Sequence, residues 1–431
     1  MKELKGKSLL LVGFTLFSMF FGAGNLIFPP FLGAQAGTNT WPAMLGFALS
    51  AIGFPILGVV AVARSGGITS LGARVHPAFA TAFTVLIYLS IGPCLAIPRT
   101  ASTSFEMAVT PFLPEALLVH LPLFQLIYSL VFFGGALLLA LRPEKLTDRL
   151  GKILCPCLLL LIVVVFAGCL LDPPGPYGPV QPQYAHAAAQ GFLDGYQTMD
   201  TMAALAFGIV IALNIRARGV EDDSAVVRGT VRAGVIAGVL LLAVYAMLAH
   251  AGALSGQTFP GAENGAQVLT RVVFYLFGPL GMFLLAAIFF IACFNVCVGL
   301  ISSCGEYFHG LVPRIPYRAW AVLFAVVSMA VANAGLNLIL QVSVPVLNAI
   351  YPVAIVLIVL SFFHRWLKGW NRVYPVSVAV TGLFSVLFAL KDLGAPIPLI
   401  GALPLASMGL GWLIPAVAGI ALGVLASSRR G

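Results

Sequence analysis

Twelve apolar stretches separated by short polar punctuation leave this chain few ways to fold. Residues 8–36, 41–63, 77–111, 121–141, 149–171, 188–214, 225–252, 279–308, 318–334, 336–361, 373–390 and 405–427 are each long enough to cross a bilayer as a helix. Hydrophobic residues fill 60% of the 431 positions and charged residues only 9%, too few to give a soluble globule a polar surface. In hydrocarbon every backbone N–H and C=O must be paired internally. The expected fold class is therefore an all-α polytopic membrane protein of twelve transmembrane helices. The net charge of +9 does not point to nucleic acid, because the Lys and Arg residues fall singly or in small groups between apolar runs.

Those charges instead report orientation. With the N-terminus inside, 20 of the 23 Lys and Arg residues fall in cytoplasmic segments, leaving only Arg99, Arg271 and Lys391 in spans or outer loops. This bias predicts that both termini are cytoplasmic. The first apolar segment carries GAGN and PP in place of a small-residue cleavage site, so no cleavable signal is expected. The seven cysteines lie in or beside apolar runs, and neither a disulfide framework nor a zinc site is indicated.

A proline-rich outer loop, residues 172–187, divides the chain. Residues 1–171 hold five spans, 188–361 hold five more, and 362–431 hold two additional helices. Five is odd, so the second set starts from the opposite side of the membrane, the parity of a five-plus-five inverted repeat.

Span one is interrupted at Phe21-Gly22-Ala23-Gly24-Asn25 and again at Pro29-Pro30. Its counterpart in the second repeat, span six, is interrupted around Tyr196-Gln197-Thr198-Met199-Asp200-Thr201. Broken helices in corresponding positions mark a midplane binding site, where half-helix N-termini meet a carboxylate and freed carbonyls meet a cation. Kinks used only for packing are the alternative. Asp200 near the centre of a span needs a compensating partner: a cation, a substrate ammonium, or the N-terminus of the half-helix that it would cap. Asp194 lies nearer the outer surface. In span eight, Ser302 lies one turn beyond Val298, and hydroxyl plus carbonyl oxygens suit an alkali cation, although most intramembrane serines bond the carbonyl one turn back. In span three, Arg99, Thr103 and Glu106 share one helical stripe, which either forms an internal Arg99–Glu106 network or meets substrate. Asn348 in span ten is expected to face an aqueous path.

The segments GAGNLIFPP, IPRTASTSFE, DGYQTMDTMAALAFGIVI, ISSCGEYF and SVPVLNAIYP run through nearly the whole chain. Together they resemble the branched-chain amino acid:cation symporters of bacteria, the BrnQ-type carriers. The resemblance implies uptake of leucine, isoleucine or valine, driven by sodium, across the cytoplasmic (inner) membrane, in the architecture of the amino acid and neurotransmitter sodium symporters. It implies that Gly22, Ala23, Gly24 and Asn25 meet the substrate carboxylate. The Phe21 and Val298 carbonyls with Ser302 and Ser303 would hold Na+. Ile301 departs from the wider pattern, in which a hydroxyl residue is common there. Phe105, Tyr196 and Phe207 are candidate lining residues for the branched side chain, with Thr198, Asp200 and Thr201 beside them. Proton coupling through Asp200 or Glu306 is the closest rival. A channel fits less well, because the polar residues cluster at the breaks and do not line many spans. An intramembrane enzyme is not expected, since no histidine lies within a span where it could act as a base. No obligatory protein partner is evident beyond the lipid bilayer.

Overall fold

The computed structural model describes residues 4–141, 146–367 and 369–427, with the backbone alone described at 146–155 and 398–399. Helices account for the architecture, and no strand occurs among the described residues. The first part of the chain forms α1 (Gly6–Phe20), α2 (Ala23–Ala36), α3 (Thr40–Ala48), α4 (Phe54–Ser65), α5 (Ile68–Gly72), α6 (Pro77–Leu89), α7 (Ala96–Ala108), α8 (Leu121–Ala140) and α9 (Leu146–Leu171). Then follow α10 (Ala187–Tyr196), α11 (Asp200–Ala217), α12 (Asp223–Ser255), α13 (Gly265–Leu311), α14 (Tyr317–Ala332), α15 (Leu336–Leu367), α16 (Val373–Asp392), α17 (Pro398–Gly401) and α18 (Leu413–Ala426).

Among the described residues, eight helical stretches are long and apolar enough to cross a membrane, and four shorter apolar helices accompany them. Large apolar side chains point outward as well as inward: Val131 is 72% exposed, Leu138 68%, Leu160 64% and Phe283 64%. Such an exterior suits lipid, not water. The chain is a multi-pass membrane protein.

Two departures from the sequence expectation concern span edges. The helix carrying span eight begins at Gly265, well before residue 279, and bends at Gly278 (φ 61°, ψ −155°). Pro279 has no N–H to continue the ladder, and glycine accepts the positive φ that the bend requires. Span three is likewise divided, by a wide turn at Ser90–Cys94 in which Gly92 is non-helical. The division expected between Asn333 and Leu336 is present, with Gly335 at φ 89°.

Glycines let the half-helices approach their neighbours at backbone distance. A Cβ on Gly252 of α12 would lie 2.0 Å from the Pro30 carbonyl of α2, and one on Gly191 of α10 would lie 1.9 Å from the Ala43 carbonyl of α3. Small residues at membrane helix interfaces allow this packing. The proline-rich loop 172–187 is stitched onto the same elements, since the Gln181 N–H donates to the Gln35 carbonyl at 3.0 Å and the Gly178 N–H to that of Ala253 at 3.3 Å.

Candidate substrate site at two helix breaks

The chain leaves α1 through Phe21 (φ −77°, ψ 90°) and Gly22 (φ −123°, ψ −170°), both extended, before α2 starts. The first N–H groups of α2 have no intrahelical acceptor. Asn25 folds back, and its Oδ1 accepts the Gly22 N–H at 3.1 Å. The interruption expected at Pro29-Pro30 does not occur: both prolines lie inside α2, where they only remove the N–H groups that would otherwise bond the Asn25 and Leu26 carbonyls. The second break spans Gln197 to Met199. Met199 sits in the left-handed region at φ 63°, which costs a residue with a Cβ on the order of 1 kcal/mol. The Thr198 hydroxyl closes the end of α10 by donating to the Gly195 carbonyl at 2.9 Å.

The two breaks are joined side chain to side chain. Asn25 Nδ2 donates to Asp200 Oδ2 at 2.6 Å and also contacts the Tyr245 hydroxyl, which itself donates to the same carboxylate oxygen at 3.4 Å. All three side chains are buried. Asp200 does not cap its own helix with its carboxylate; as a first-turn residue it still lies where the helix dipole favours negative charge. From α7, Arg99 Nη1 donates to the Gln197 carbonyl at 2.6 Å, and the guanidinium carbon lies 5.3 Å from the centre of the Phe28 ring.

Among the described residues no Arg99–Glu106 network forms. Glu106 instead accepts from Gln267 Nε2 at 3.0 Å, on the helical segment ahead of the Gly278 bend. The stripe geometry was right; the intended partner was replaced by a residue from a helix the sequence did not reveal. Tyr245 and Gln197 were also missed. Tyr245 is a lone tyrosine in the apolar run LLLAVYAMLAH, and no spacing rule separates it from a core aromatic.

The remaining candidates distribute around this centre. Tyr196 stacks on Tyr351 with centroids 4.2 Å apart, and Thr201 Oγ1 donates to the Ser50 carbonyl at 3.4 Å. Phe105 packs against Tyr128 at 5.4 Å, whereas Phe207 lies two turns along α11 from Asp200 and meets Tyr88 edge-on at 5.9 Å. Asn348 bonds Asp392 at 3.2 Å. Of the cation candidates, Ser302 donates to the Val298 carbonyl at 2.9 Å, and Ser303 is half-buried beside it. Ala23 and Val298 belong to one apolar cluster with Ile301 and Ile97, so α13 runs alongside the first break. Phe21 is buried there, its N–H closing α1 on the Phe17 carbonyl at 2.9 Å. Glu306 is exposed, one turn beyond Ser302 on α13.

Paired half-helix ends, a buried carboxylate and a buried guanidinium make a site suited to a small molecule that carries both charges. Residues 5–430 match the family model described as branched-chain amino acid transport protein. The chain belongs to that family. Its relatives include the branched-chain amino acid permease BraB of Bacillus subtilis (strain 168), 41% identical over 427 residues covering 97% of this chain and 95% of that one. The branched-chain amino acid transport system 3 carrier protein of Pseudomonas aeruginosa is 44% identical over 428 residues, covering 98% and 96%. Permease BrnQ of Escherichia coli (strain K12) is 40% identical over 428 residues, with the same coverage. As a branched-chain amino acid transport protein the chain is a transporter and not an enzyme.

Solved structures show the fold in more distant company. Mhp1, a nucleobase-cation-symport-1 family transporter in a closed conformation with bromovinylhydantoin bound, superposes with a TM-score of 0.61 at 15% identity, covering 96% of this chain and 91% of that one. A manganese transporter of Eremococcus coleocola gives 0.59 at 14% identity, covering 97% and 95%.

Proposed function

We propose that this transporter imports leucine, isoleucine or valine by sodium symport, exposing its site alternately to the two sides of the membrane. The observation that carries the reading is the Asn25–Asp200–Tyr245 junction, which ties the first half-helix break to the second at one buried point. A zwitterion seated there meets helix N-termini with its carboxylate and Asp200 with its ammonium. Substrate identity follows from the family and from what its relatives are named for.

The same reading takes the chain as twelve spans in a five-plus-five inverted repeat, divided at the loop 172–187, with both termini cytoplasmic in the inner membrane. Two interrupted helices, α1–α2 and α10–α11, in corresponding places support it, as do eight long and four shorter apolar helices. The cotransported sodium would lie between the first break and α13, on the Phe21 and Val298 carbonyls with Ser302 and Ser303. The donors fit: a hydroxyl that donates to the Val298 carbonyl keeps its lone pairs, and the carbonyl keeps a second one.

Proton coupling is a second reading, favoured by one feature: among the described residues the hydrogen bonds to the Asp200 carboxylate come from neutral groups, Asn25 and Tyr245. Labelled leucine uptake into proteoliposomes under imposed sodium or proton gradients decides between them. Sodium-driven accumulation at equal pH is expected. Uptake that ignores sodium and follows the pH gradient would overturn sodium symport.

A further inference from the structure

Arg99 and Asp200 are the charged side chains buried among the described residues, and their surroundings differ. The Asp200 carboxylate is committed to Asn25 and Tyr245. Arg99, 4% exposed, uses Nη1 on the Gln197 carbonyl, and no ion pair joins it to a carboxylate among the described residues. A guanidinium offers five N–H donors in a planar fork, so most of its donor capacity is unspent. Glu106, the nearest acid along its own helix face, is held by Gln267.

The unspent side of the fork faces the opening turn of α2. A Cβ on Gly24 would stand 2.8 Å from Arg99 Nη2, so the guanidinium lies against that turn in the space that glycine leaves, and a methyl group there would shift it. The free N–H groups at the start of a helix attract an anion, and a bidentate arginine fork matches the two oxygens of a carboxylate. Two further polar atoms nearby in the chain are buried with no partner: Thr103 Oγ1, one turn beyond Arg99 on α7, and Gln197 Oε1, beside the carbonyl that Arg99 holds. Asp200 is close enough to be felt electrostatically but does not pair with Arg99. A buried cation with no carboxylate in contact, set against a helix N-terminus, is completed by an anion brought from outside.

We propose that Arg99 is the carboxylate anchor of the transported amino acid, its fork and the first N–H groups of α2 gripping the two carboxylate oxygens together. This rests on the reading of the chain as a branched-chain amino acid transporter and adds a specificity to it. The site admits an α-amino acid with a free carboxylate and rejects the amide and the alcohol of the same side chain. A lysine cannot replace the fork, because it offers a point charge and not two parallel donors.

The test is competition against labelled leucine on the purified full chain in lipid nanodiscs. Wild type is expected to prefer leucine over leucinamide and leucinol by about 100-fold or more, since a site built around a charged hydrogen-bonding group is left unpaired by an analogue lacking it. In Arg99→Gln leucine affinity falls by about that factor while leucinamide affinity stays within about threefold, and Arg99→Lys recovers only part of the preference. A folded Arg99→Gln protein that keeps the wild-type preference would show that Arg99 is merely a tie between α7 and the break that precedes α11. Should that variant not fold, Gly24→Ala carries the same question, because its methyl group displaces Nη2; an unchanged preference there equally overturns the proposal. Wild type that accepts leucinamide as well as leucine overturns it without any variant. Wild type that binds no branched-chain amino acid brings down the transport reading, and this one with it.

Discussion

Replacing Asn25 with alanine tests the junction on which the site is built. The substitution removes the acceptor of the Gly22 N–H (3.1 Å), the donor to Asp200 (2.6 Å) and the contact with Tyr245. A hydrogen bond to a charged group contributes about 1.5–3 kcal/mol, and loss of a capping side chain costs about 1 kcal/mol. Asn25→Ala should therefore destabilise the folded protein by about 2.5–4 kcal/mol. Because a single deletion also leaves Asp200 buried and undersatisfied, the pairwise contribution is isolated by a cycle of Asn25→Ala, Asp200→Ala and the double variant. Equilibrium unfolding in mixed micelles, followed by circular dichroism, supplies the four free energies. The expected coupling is at least about 1.5 kcal/mol, the lower end for a charge-assisted bond. Additivity within about 0.5 kcal/mol would mean that the two breaks are neighbours without being tied, and the argument from the junction would fail.

Ser302→Ala should raise the sodium concentration needed for half-maximal leucine uptake more than it changes the preference among leucine, isoleucine and valine; unaltered sodium dependence would remove Ser302 from the cation site. Gly195→Val should abolish monodisperse protein in size-exclusion chromatography, since even a Cβ there would lie 1.9 Å from Ser50 Oγ. Gly134→Ala, where nothing lies within 4 Å, should elute as wild type. Asp222, just ahead of α12, titrates below the usual carboxylate range because Ser224 and then the Ala225 N–H donate to it. A depressed folded-state pKa stabilises above the unfolded value and stops doing so as pH falls through the folded one. The melting-temperature gap between wild type and Asp222→Ala should therefore be open at neutral pH and close on acidification below about pH 4.

Helices and breaks were legible in the sequence because each depends on local chemistry. Gly22 marks the break of span one, although Pro29 and Pro30 do not break it again, and the apolar runs on either side must be helical in lipid. Thr198 to Asp200 was legible for a related reason, a polar run in the middle of an apolar one. What local chemistry does not encode is which polar groups meet. Arg99 and Glu106 share a helix face, yet the three-dimensional partners are Gln197, ninety-eight residues away, and Gln267, one hundred and sixty-one away. Gln267 was out of reach for a further reason: it stands in the first part of α13, ahead of the Gly278-Pro279 pair that reads in the sequence as a span boundary. Tyr245 is the purest case, a residue whose role arises wholly from Asn25 and Asp200 arriving beside it.

The arrangement also separates what is rigid from what can be exchanged. The half-helices α2 and α10 are held by backbone-distance contacts, Gly252 on Pro30 and Gly191 on Ala43, which leave no room for an added atom. Close packing of this kind resists small displacements. At the breaks the ties are hydrogen bonds made by side chains: Asn25 to the Asp200 carboxylate and Arg99 to the Gln197 carbonyl. Each of these can trade its partner for a substrate or ion group of similar polarity at little net cost, since one hydrogen bond replaces another. A ligand that replaces them changes the relation of α2 to α11 without disturbing how α2 sits on α12 or α10 on α3. Binding energy is thereby directed to the one place where the two halves of the site meet, as a ligand must do if it is to favour one conformation of the protein over another.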